Sequence, residues 1–286
     1  MKEFYKKYRP DSFSELVGQA ESVDTLTELC SSDNVPHALL LTGPSGCGKT
    51  TIARILRKEV DCGKHDFREI NTADFTGVDM VRDIRTRIDI APMDGSSRMW
   101  LVDECHQIST AGQNAFLKML EDTPSHVYFV LATTDPKKLI APIRNRCTQI
   151  KLQTVSDKDI EKLLRTTAKK EKLKIADEVF KKLVEHAEGS PRQALVLLYG
   201  IHKKKKTAKQ LAAIEVLDSK TESIEIARAL LYRKPWKELA ALLKGSEADP
   251  EELRHLILSY CSSVLLGGGK QASRASQIIV EFADHF

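Results

Sequence analysis

The stretch of sequence that decides the fold reads Gly43-Pro44-Ser45-Gly46-Cys47-Gly48-Lys49-Thr50. It matches the pattern G-x-x-x-x-G-K-[ST] and stands between the apolar run 37–41 and the amphipathic stretch 50–60. In such a loop the glycines let successive backbone N–H groups curl around phosphate oxygens, and the following helix adds the positive end of its dipole. The stretch therefore predicts a phosphate-binding loop that joins a strand to a helix.

Two side chains of this loop carry specific chemistry. We expect Lys49 to reach the β and γ phosphates of ATP, and the Thr50 hydroxyl to bind Mg²⁺. ATP and Mg²⁺ are therefore the predicted cofactors. The predicted nucleotide contacts of the loop are Gly43, Pro44, Ser45, Gly46, Cys47, Gly48, Lys49, Thr50 and Thr51.

A second apolar run that ends in acids indicates ATP hydrolysis. Residues 99–102 are followed by Asp103 and Glu104. We expect Asp103 to hold Mg²⁺, directly or through water, and Glu104 to orient the attacking water and accept its proton. The alternative is a pair of acids in an exposed turn. With Cys105 and His106 the acids also spell the D-E-x-H signature of superfamily 2 helicases, but we find no second motor domain in the chain.

Strand and helix patterns alternate through the first half of the chain. Apolar runs rich in branched and aromatic residues predict buried strands at 37–41, 67–70, 99–102 and 127–132. Amphipathic stretches at 50–60, 78–90 and 111–120 predict helices between the strands. We therefore expect an α/β P-loop domain with a parallel sheet and helices on both faces.

The rest of the chain has helical patterns only. Helix starts are indicated at residues 156–159 and at Asp177, and Pro191 fits the first turn of a further helix. The four lysines at 203–206 mark a boundary. We predict a nucleotide-binding domain at 1–152, a small all-α lid at 153–205 and an all-α C-terminal domain at 206–286.

The run 127–132 ends in the polar residues Thr133, Thr134 and Asp135. A polar side chain here is expected beside the strand that carries Asp103, close to the γ-phosphate, where it suits a sensor of that phosphate or of the attacking water. A turn that closes the strand at Asp135 and Pro136 is the other interpretation, and the residues alone leave both open.

Composition and charge exclude several classes of protein. Of the 286 residues, 42% are hydrophobic and 29% are charged, no apolar run is long enough to span a bilayer, and the N-terminus lacks the core of a secretory signal. We expect a cytoplasmic protein (nuclear if eukaryotic, in the host cytoplasm if viral) without membrane contact. The six cysteines include no C-x-x-C pair, which speaks against a zinc ribbon. Residues 153–210 hold 15 basic and 8 acidic residues, a weak indication of contact with phosphates.

Taken together, these motifs resemble those of AAA+ clamp-loader ATPase subunits of the replication factor C, DnaX and bacteriophage type, over residues 3–200. Residues 132–136 are similar to the family's sensor 1 segment, with Thr134 as the sensor. A segment similar to the family's N-terminal adenine-side motif supplies Tyr8, Arg9, Pro10 and Val17.

The resemblance assigns roles to two arginines. Asn145-Arg146-Cys147 is similar to the family's Ser-Arg-Cys motif, which implies that Arg146 is an arginine finger for the neighbouring subunit; a surface salt bridge is the alternative. Residues 189–195 resemble the sensor 2 helix, which implies that Arg192 reaches its own nucleotide from the lid. The predicted catalytic residues are Lys49, Asp103, Glu104, Thr134, Arg146 and Arg192.

The sequence departs from the bacterial pattern at one point. Bacterial DnaX proteins carry a four-cysteine zinc module between the first helix and the second strand, and here only Cys62 lies in that region. This favours the replication factor C, archaeal or bacteriophage subunits as the closer comparison, and it leaves the source open among bacteriophage, archaeon and eukaryote.

The resemblance implies a motor subunit that opens and loads a DNA sliding clamp at primer–template junctions during replication, with an ATPase that DNA and clamp stimulate. The implied partners are copies of the chain or paralogous subunits in a pentameric ring or spiral, the clamp, and primer–template DNA. The helical domain at 206–286 would then be the collar. The candidate DNA contacts, each of which also fits a solvated helix start, are Thr76, Gly77, Arg82, Arg85, Ser109, Thr110, Gln113 and Asn114.

Two other functions remain open at this point. One is an AAA+ motor for branch migration or helicase loading, and the other is a non-catalytic scaffold subunit of a clamp loader. The presence of Lys49, Thr50, Asp103 and Glu104 argues against the scaffold. Apolar residues at 88–93 fit either a clamp-docking segment or the core.

Overall fold

The computed structural model describes residues 3–32, 34–72, 78–204, 206–245, 250–267 and 271–283. The chain divides into two compact units: Met1–Lys174 with Leu183–Tyr199, and Ile175–Lys182 with Gly200–Phe286. The expected parallel α/β sheet with a helical C-terminal region is confirmed. The three-domain division at residues 152 and 205 stays a prediction.

The first unit is built on a parallel sheet of order β2-β3-β4-β1-β5. Its strands are β1 Ala38–Thr42, β2 Phe67–Asn71, β3 Arg98–Asp103, β4 Val127–Thr133 and β5 Thr148–Lys151. The four predicted strands are confirmed to within one residue at each end. We did not predict β5, because it is an edge strand in which only Ile150 is buried, and one buried residue leaves no apolar run in the sequence.

Helices lie before, between and after the strands along the chain. Those before residue 202 are α1 Phe4–Lys7, α2 Ala20–Ser31, α3 Lys49–Glu59, α4 Val78–Arg87, α5 Thr110–Glu121, α6 Ala141–Arg146, α7 Asp157–Lys170, α8 Asp177–Ala187 and α9 Pro191–Ile201. Single 3₁₀ turns lie at Phe13–Glu15, Cys105–Gln107 and Pro136–Lys138. Helix α4 ends at Arg87, three residues before the predicted end.

The core lies on both faces of the sheet because alternate residues of a strand point to opposite faces. On one face Trp100 and Phe129 pack with Phe116 of α5. On the other face Leu41 and neighbouring strand residues pack with Ile52 of α3. Strands that are buried on both sides show continuous apolar runs, which is why the sequence revealed them.

A buried ion pair fixes the entry to β2 and β3, at the end of the sheet where these strands begin. Asp66, fully buried, lies 2.7 Å from the Arg98 guanidinium. Asp66 also accepts hydrogen bonds from the backbone N–H groups of Met93 and Asp94, and Arg98 donates to the carbonyls of Arg87 and Ala91. The two side chains therefore tie down the connection that leads from α4 into β3.

The second unit has its own helical core. Its further helices are α10 Thr207–Leu231, α11 Trp236–Gly245, α12 Pro250–Leu266 and α13 Ala272–Ala283. Ile226 and Leu231 of α10 pack with Ile257 and Cys261 of α12 and Ile278 of α13. Within the described ranges, none of the helices is both long and apolar enough to cross a membrane.

Replacing Asp66 by alanine should lower the free energy of unfolding by about 3–5 kcal/mol, because the Arg98 cation then stays buried without its partner. Urea denaturation at pH 7 measures this loss. Asp11→Ala is the matched control, since Asp11 forms an exposed ion pair with Lys58 and should cost less than about 1 kcal/mol. Equal losses in the two variants would contradict the structural role of the buried pair.

The same pair predicts a dependence of stability on pH. Burial alone raises the pKa of Asp66, but hydrogen bonds from Asp94, Arg98 and Met93 outweigh it and leave the pKa below its usual value. The contribution of the Asp66 carboxylate to the free energy of unfolding is therefore complete above a pH of about 3.9, the pKa of an aspartate in the unfolded chain. It is lost as the pH falls through the lower pKa that Asp66 has in the folded protein. Asp66→Ala should lack this component.

Candidate nucleotide-binding site

The loop after β1 has a backbone that requires glycine. Gly43 has φ 150° and Gly46 has φ 74°, conformations that side chains disfavour. A Cβ atom at Gly43 would lie 2.5 Å from the carbonyl oxygen of Leu152, and one at Gly46 would lie 2.2 Å from the Ser190 hydroxyl. Gly43 and Gly46 are therefore confined by close contacts with the chain after β5 and with the start of α9. Gly48, the second glycine of the motif, has open space around it and is favoured there by its φ of 114° alone.

Lys49 and Thr50 form the first turn of α3 at the mouth of this loop. Lys49 is buried, and its ammonium donates hydrogen bonds of 2.7 and 2.8 Å to the carbonyls of Gly43 and Pro44. The Thr50 hydroxyl donates to the Asp103 carboxylate at 3.0 Å. Within the rest of the predicted loop set, Ser45 is exposed and Thr51 is half-buried.

These residues fit ATP and Mg²⁺. A buried ammonium that faces the inside of a glycine loop is placed to meet phosphate oxygens, and the loop leads directly into the N-terminus of α3. A threonine hydroxyl beside a carboxylate is the oxygen pair that P-loop proteins use to hold Mg²⁺. The contact between Thr50 and Asp103 spans 53 positions of sequence and was expected from the motifs.

The cysteine of the loop is a packing residue. Cys47 is buried in the core below the loop, and this burial raises the pKa of its thiol. The thiols of Cys105 and Cys147 are also buried, and burial raises the pKa of Cys147 to about 12. All six cysteines are free thiols, and protonated, buried thiols react slowly.

The two acids at the end of β3 meet different partners because the backbone turns sharply at Glu104. Glu104 has φ 51°, a left-handed conformation that is uncommon for a residue with a side chain. The Thr72 hydroxyl donates to the carbonyls of Asp103 and Glu104 at 3.0 and 2.6 Å, and the Glu104 N–H donates to the Asp103 carboxylate at 3.0 Å. These hydrogen bonds hold Asp103 toward Thr50.

The Glu104 carboxylate meets side chains from the end of β4 and from its own turn. Its Oε2 atom lies 3.3 Å from the Thr134 hydroxyl and 3.3 Å from Nδ1 of His106. The same His106 nitrogen lies 3.0 Å from the hydroxyl of the buried Thr133. The structure thus brings Thr134 to Glu104, and it also forms the turn after β4, in which Asp135 accepts the Lys137 N–H. The sensor role of Thr134 stays a prediction.

Sequence reasoning did not assign three of the residues that shape this cluster: Thr72, His106 and Thr133. His106 was visible only as the last letter of a helicase signature, and Thr133 only as a neighbour of Thr134. Their positions at the ends of β2, β3 and β4 could have suggested them, because these strands end at the same edge. Thr133 also accepts the Asp135 N–H and uses its carbonyl to accept the Gly43 N–H at 3.2 Å, so β4 is tied to the phosphate loop.

The N-terminal segment packs against the chain that follows β5. The Tyr8 hydroxyl donates to Glu171 at the end of α7, and burial, followed by this hydrogen bond, raises the pKa of Tyr8. The Gln19 amide donates to the Gln153 carbonyl and accepts its N–H. Arg9, Pro10 and Val17, which are predicted to lie on the adenine side, are half-buried within this segment.

Arg192 lies beside the loop within the same unit. Its Cβ atom is 3.3 Å from the position that a Cβ at Gly46 would take, and its guanidinium stands 5.1 Å from the ring centre of Tyr5. Ser190 caps α9 by accepting the Gln193 N–H. Arg192 thus lies close to the loop, and its approach to its own nucleotide stays a prediction. The contact with Tyr5 is one that the motifs did not indicate.

Arg146 ends α6 and stays at the surface. Its guanidinium forms an ion pair of 2.8 Å with Glu121 at the end of α5, and both side chains are about half exposed (53% and 40%). An exposed pair of this kind contributes little stability. The structure thus shows the surface salt bridge that was the alternative, and the role of Arg146 as an arginine finger stays a prediction.

The candidate DNA residues are unequally placed. Arg82 and Arg85 are exposed on α4, Ser109 caps α5 by accepting the Gly112 N–H, and Thr110 and Asn114 are exposed in the first turns of α5. Thr76 and Gly77 lie outside the described residues.

Gln113 differs from these candidates because it is buried. Its amide donates to the carbonyls of Ile108 and Lys138 and accepts the Ile140 N–H. A side chain so engaged has no group left for DNA, and we leave it out of the proposed surface.

Comparison with known proteins places these motifs in a family. The family model described as "DNA polymerase III, delta subunit" matches residues 18–156. The DNA polymerase III subunit gamma of Buchnera aphidicola (subsp. Schizaphis graminum) is 33% identical over 270 residues, which cover 86% of this chain and 74% of that subunit. The gamma/tau subunit of Mycobacterium bovis is 34% identical over 217 residues, 68% of this chain.

Solved structures share the fold. The chain is similar to the structure titled "Thermotoga maritima RuvB Holliday junction branch migration motor", with a TM-score of 0.63, 24% identity, and coverage of 85% of this chain and 87% of that one. A likeness at this identity shows the fold alone.

The sequence relatives are in part much longer than this protein. The chain spans 38% of the length of the mycobacterial gamma/tau subunit.

The named relatives are bacterial, and this corrects one expectation. The lack of a four-cysteine module favoured the replication factor C, archaeal and bacteriophage subunits, yet the Escherichia coli tau subunit is 35% identical over 213 residues. The core motifs of the sheet thus resemble the bacterial proteins even though the module is missing. Because the match to the Buchnera gamma subunit covers most of both chains, this protein belongs to the family of DNA polymerase III gamma and tau subunits, the DnaX type of AAA+ clamp-loader subunit.

Proposed function

We propose that this protein is an ATP-hydrolysing motor subunit of a sliding-clamp loader, which opens a clamp and loads it at primer–template junctions during DNA replication. The observation that carries the proposal is the cluster of Lys49, Thr50, Asp103, Glu104 and Thr134 at one edge of the sheet, in a chain of the gamma and tau family. The complete set of hydrolytic groups argues for a motor rather than a scaffold.

In the proposed mechanism each of these groups has one task. The Lys49 ammonium, which donates hydrogen bonds to the carbonyls of Gly43 and Pro44 in this structure, donates to the β and γ phosphates when ATP binds. Thr50 and Asp103 would hold Mg²⁺, which would supply positive charge to neutralise the phosphates. Glu104 orients the attacking water and accepts its proton.

Thr134 and His106 position the Glu104 carboxylate. Both side chains contact Oε2, and His106 is in turn held by the buried Thr133. A general base acts only when its oxygen faces the water that it deprotonates. Contacts that hold this oxygen from two sides therefore control the rate of hydrolysis.

The arginines make hydrolysis depend on assembly. Arg192 approaches the nucleotide from the lid side of its own site. Arg146 is exposed at the end of α6, and we propose that it completes the site of an adjacent subunit by stabilising charge on the transferring phosphoryl group. The proposed partners are copies of this chain or paralogous subunits in a pentameric ring or spiral.

Helix α4 and the start of α5 form the proposed DNA surface. Arg82 and Arg85 offer guanidinium groups, and Ser109, Thr110 and Asn114 stand at a helix N-terminus that can bind phosphate. The second group follows the turn that holds Glu104 and His106 by only a few residues. We propose that DNA contacts there act on the hydrolytic turn.

The connection after α4 is the proposed clamp-facing segment. Ile90 and Met93 are exposed by 51% and 81%, whereas Ile88 is buried in the core. The Asp66–Arg98 pair holds this connection, so the two apolar side chains are presented on a fixed loop. We expect the protein to act in the cytoplasm, together with the proposed clamp and DNA.

Glu104→Gln should reduce ATP hydrolysis by about 100- to 10,000-fold and leave the affinity for ATP unchanged, because the amide fills the same space but accepts no proton. Steady-state ATPase rates and binding of a fluorescent ATP analogue measure the two quantities. Glu59→Gln, at the exposed end of α3, is the matched control and should do neither. A parallel loss of binding and hydrolysis would contradict the assigned role.

Arg146→Ala should lower the ATPase rate of the full assembly by about 1000-fold or more without weakening ATP binding by the isolated chain. Glu121→Ala is the matched control, because it breaks the same ion pair and keeps the guanidinium. Equal effects of the two variants would show that the pair is only structural.

A mixing experiment tests whether Arg146 acts in a neighbouring site. Assemblies made from Arg146→Ala and Glu104→Gln subunits together should recover part of the activity that each variant lacks alone, because some sites then combine an intact Glu104 with a neighbour's intact Arg146. No recovery at any mixing ratio would contradict action between subunits.

The proposed function itself is tested by an ATPase assay of the full assembly with primed DNA, with and without its sliding clamp. We expect the clamp and the primed DNA together to give the highest rate, because both contact the proposed motor. Activity that responds to DNA but not to any clamp would favour branch migration or helicase loading. No activity in the complete assembly would favour a scaffold subunit.

A further inference from the structure

A turn in the second unit exposes aromatic and cationic side chains together. Residues 232–237, which we call the aromatic–cationic turn, comprise the link from α10 to α11 and the first two residues of α11. They read Tyr232-Arg233-Lys234-Pro235-Trp236-Lys237. Every residue of the turn is exposed, including 72% of Trp236 and 46% of Tyr232. Large aromatic side chains are normally mostly buried. Two that are exposed to this degree on one turn indicate a surface that binds a partner.

The backbone of the turn is fixed by its own hydrogen bonds. The Tyr232 N–H donates to the Arg228 carbonyl at 2.9 Å and the Lys234 N–H to the Ala229 carbonyl at 2.9 Å, which closes the end of α10. Arg233 stands between them with φ 50°, the left-handed position that ends many helices. The exposed side chains are thus presented on a defined scaffold.

Charge is concentrated in the turn. It contains three cations and no acid, whereas residues 211–286 as a whole hold 9 basic and 11 acidic residues. Lys234 approaches Glu238 at 3.5 Å. Arg233 and Lys237 form no ion pair with any described residue.

We propose that the aromatic–cationic turn binds single-stranded nucleic acid. Exposed aromatic rings provide faces on which unpaired bases stack, and neighbouring cations bind the phosphates between those bases. The combination is independent of base sequence, since every base has a face and every nucleotide a phosphate. The site lies in a different unit from the nucleotide loop, and it does not rest on the proposed ATPase function.

The chemistry of the turn disfavours two other partners. A second copy of the same turn would bring like charges together, and lysines are depleted from interface cores. A membrane surface would require a broad apolar face along α11, but Leu239 and Leu242 of that helix pack into the core of the unit. Leu243, 38% exposed, is the large aliphatic side chain that α11 leaves at its surface among the described residues, which is too little for a membrane face. Single-stranded nucleic acid fits both features of the turn, because its bases can stack on the aromatic rings and its phosphates can bind the cations.

Tryptophan fluorescence tests the proposal directly. The chain has two tryptophans, of which Trp100 is 2% exposed in the sheet and Trp236 is 72% exposed. A change in fluorescence on adding an oligonucleotide therefore reports contact at Trp236. We expect oligothymidylate to quench the tryptophan emission of the full chain in the absence of ATP. Bound oligothymidylate should also protect Trp236 from quenching by iodide.

Variants assign the binding energy to the turn. Trp236→Ala should weaken the binding of a dye-labelled oligothymidylate about tenfold, as one lost stacking partner predicts, and Trp236→Phe should restore most of it. Arg233→Gln with Lys237→Gln should lower the slope of log affinity against log salt by about 1.4. Lys209→Gln and Val280→Ala, at other exposed positions of the same unit, are the matched controls.

Three outcomes would overturn the proposal. The first is the absence of quenching, and the second is equal weakening by the turn variants and the control variants. In the third, Trp236 fluorescence responds to anionic vesicles or to the concentration of the protein and not to oligothymidylate. That result would assign the turn to a membrane surface or to a contact between subunits.

Discussion

The position of β4 between β1 and β3 is the constraint on which the rest of the site depends. Parallel strands end at the same edge, so this order brings the phosphate loop, the acids of β3 and the threonines of β4 together. The Gly43 N–H donates to the Thr133 carbonyl, and the Thr133 hydroxyl contacts His106. One strand thus links the loop that faces the phosphates to the turn that carries Glu104.

The second link runs from the loop to the helices that follow the sheet. The Leu152 N–H donates to the Thr42 carbonyl, and Leu152 leaves no space for a side chain at Gly43. Gly46 is confined in the same way by Ser190. The loop is therefore clamped between β5 and α9, which explains how Arg192 comes beside a loop that precedes it by more than a hundred residues.

The two ends of the sheet have different tasks. Asp66 and Arg98 hold the end where the strands begin and fix the connection that exposes Ile90 and Met93. The opposite end carries the groups to which hydrolysis is assigned in the proposed function. The apolar strands between them are buried on both faces, and such closely packed interiors transmit displacement rather than absorb it. In the proposed motor, this rigidity connects the clamp-facing segment with the site of hydrolysis.

The sequence by itself determined the α/β class, four of five strands, and the identity of the loop and acids, because those signals are local: a strict glycine pattern and apolar runs that end in charge. It missed β5, whose single buried residue leaves no periodic signal. Its motifs also marked Gln113 as a candidate for DNA, where the fold buries the amide.

Only the tertiary structure decided that Thr72, Thr133 and His106 surround the acids. Their contacts cross from strand to strand, and sequence spacing carries no information about which strands are neighbours. The same reason separates Arg146 from Arg192: both follow recognisable motifs, but the fold alone places one beside its own loop and the other at the surface.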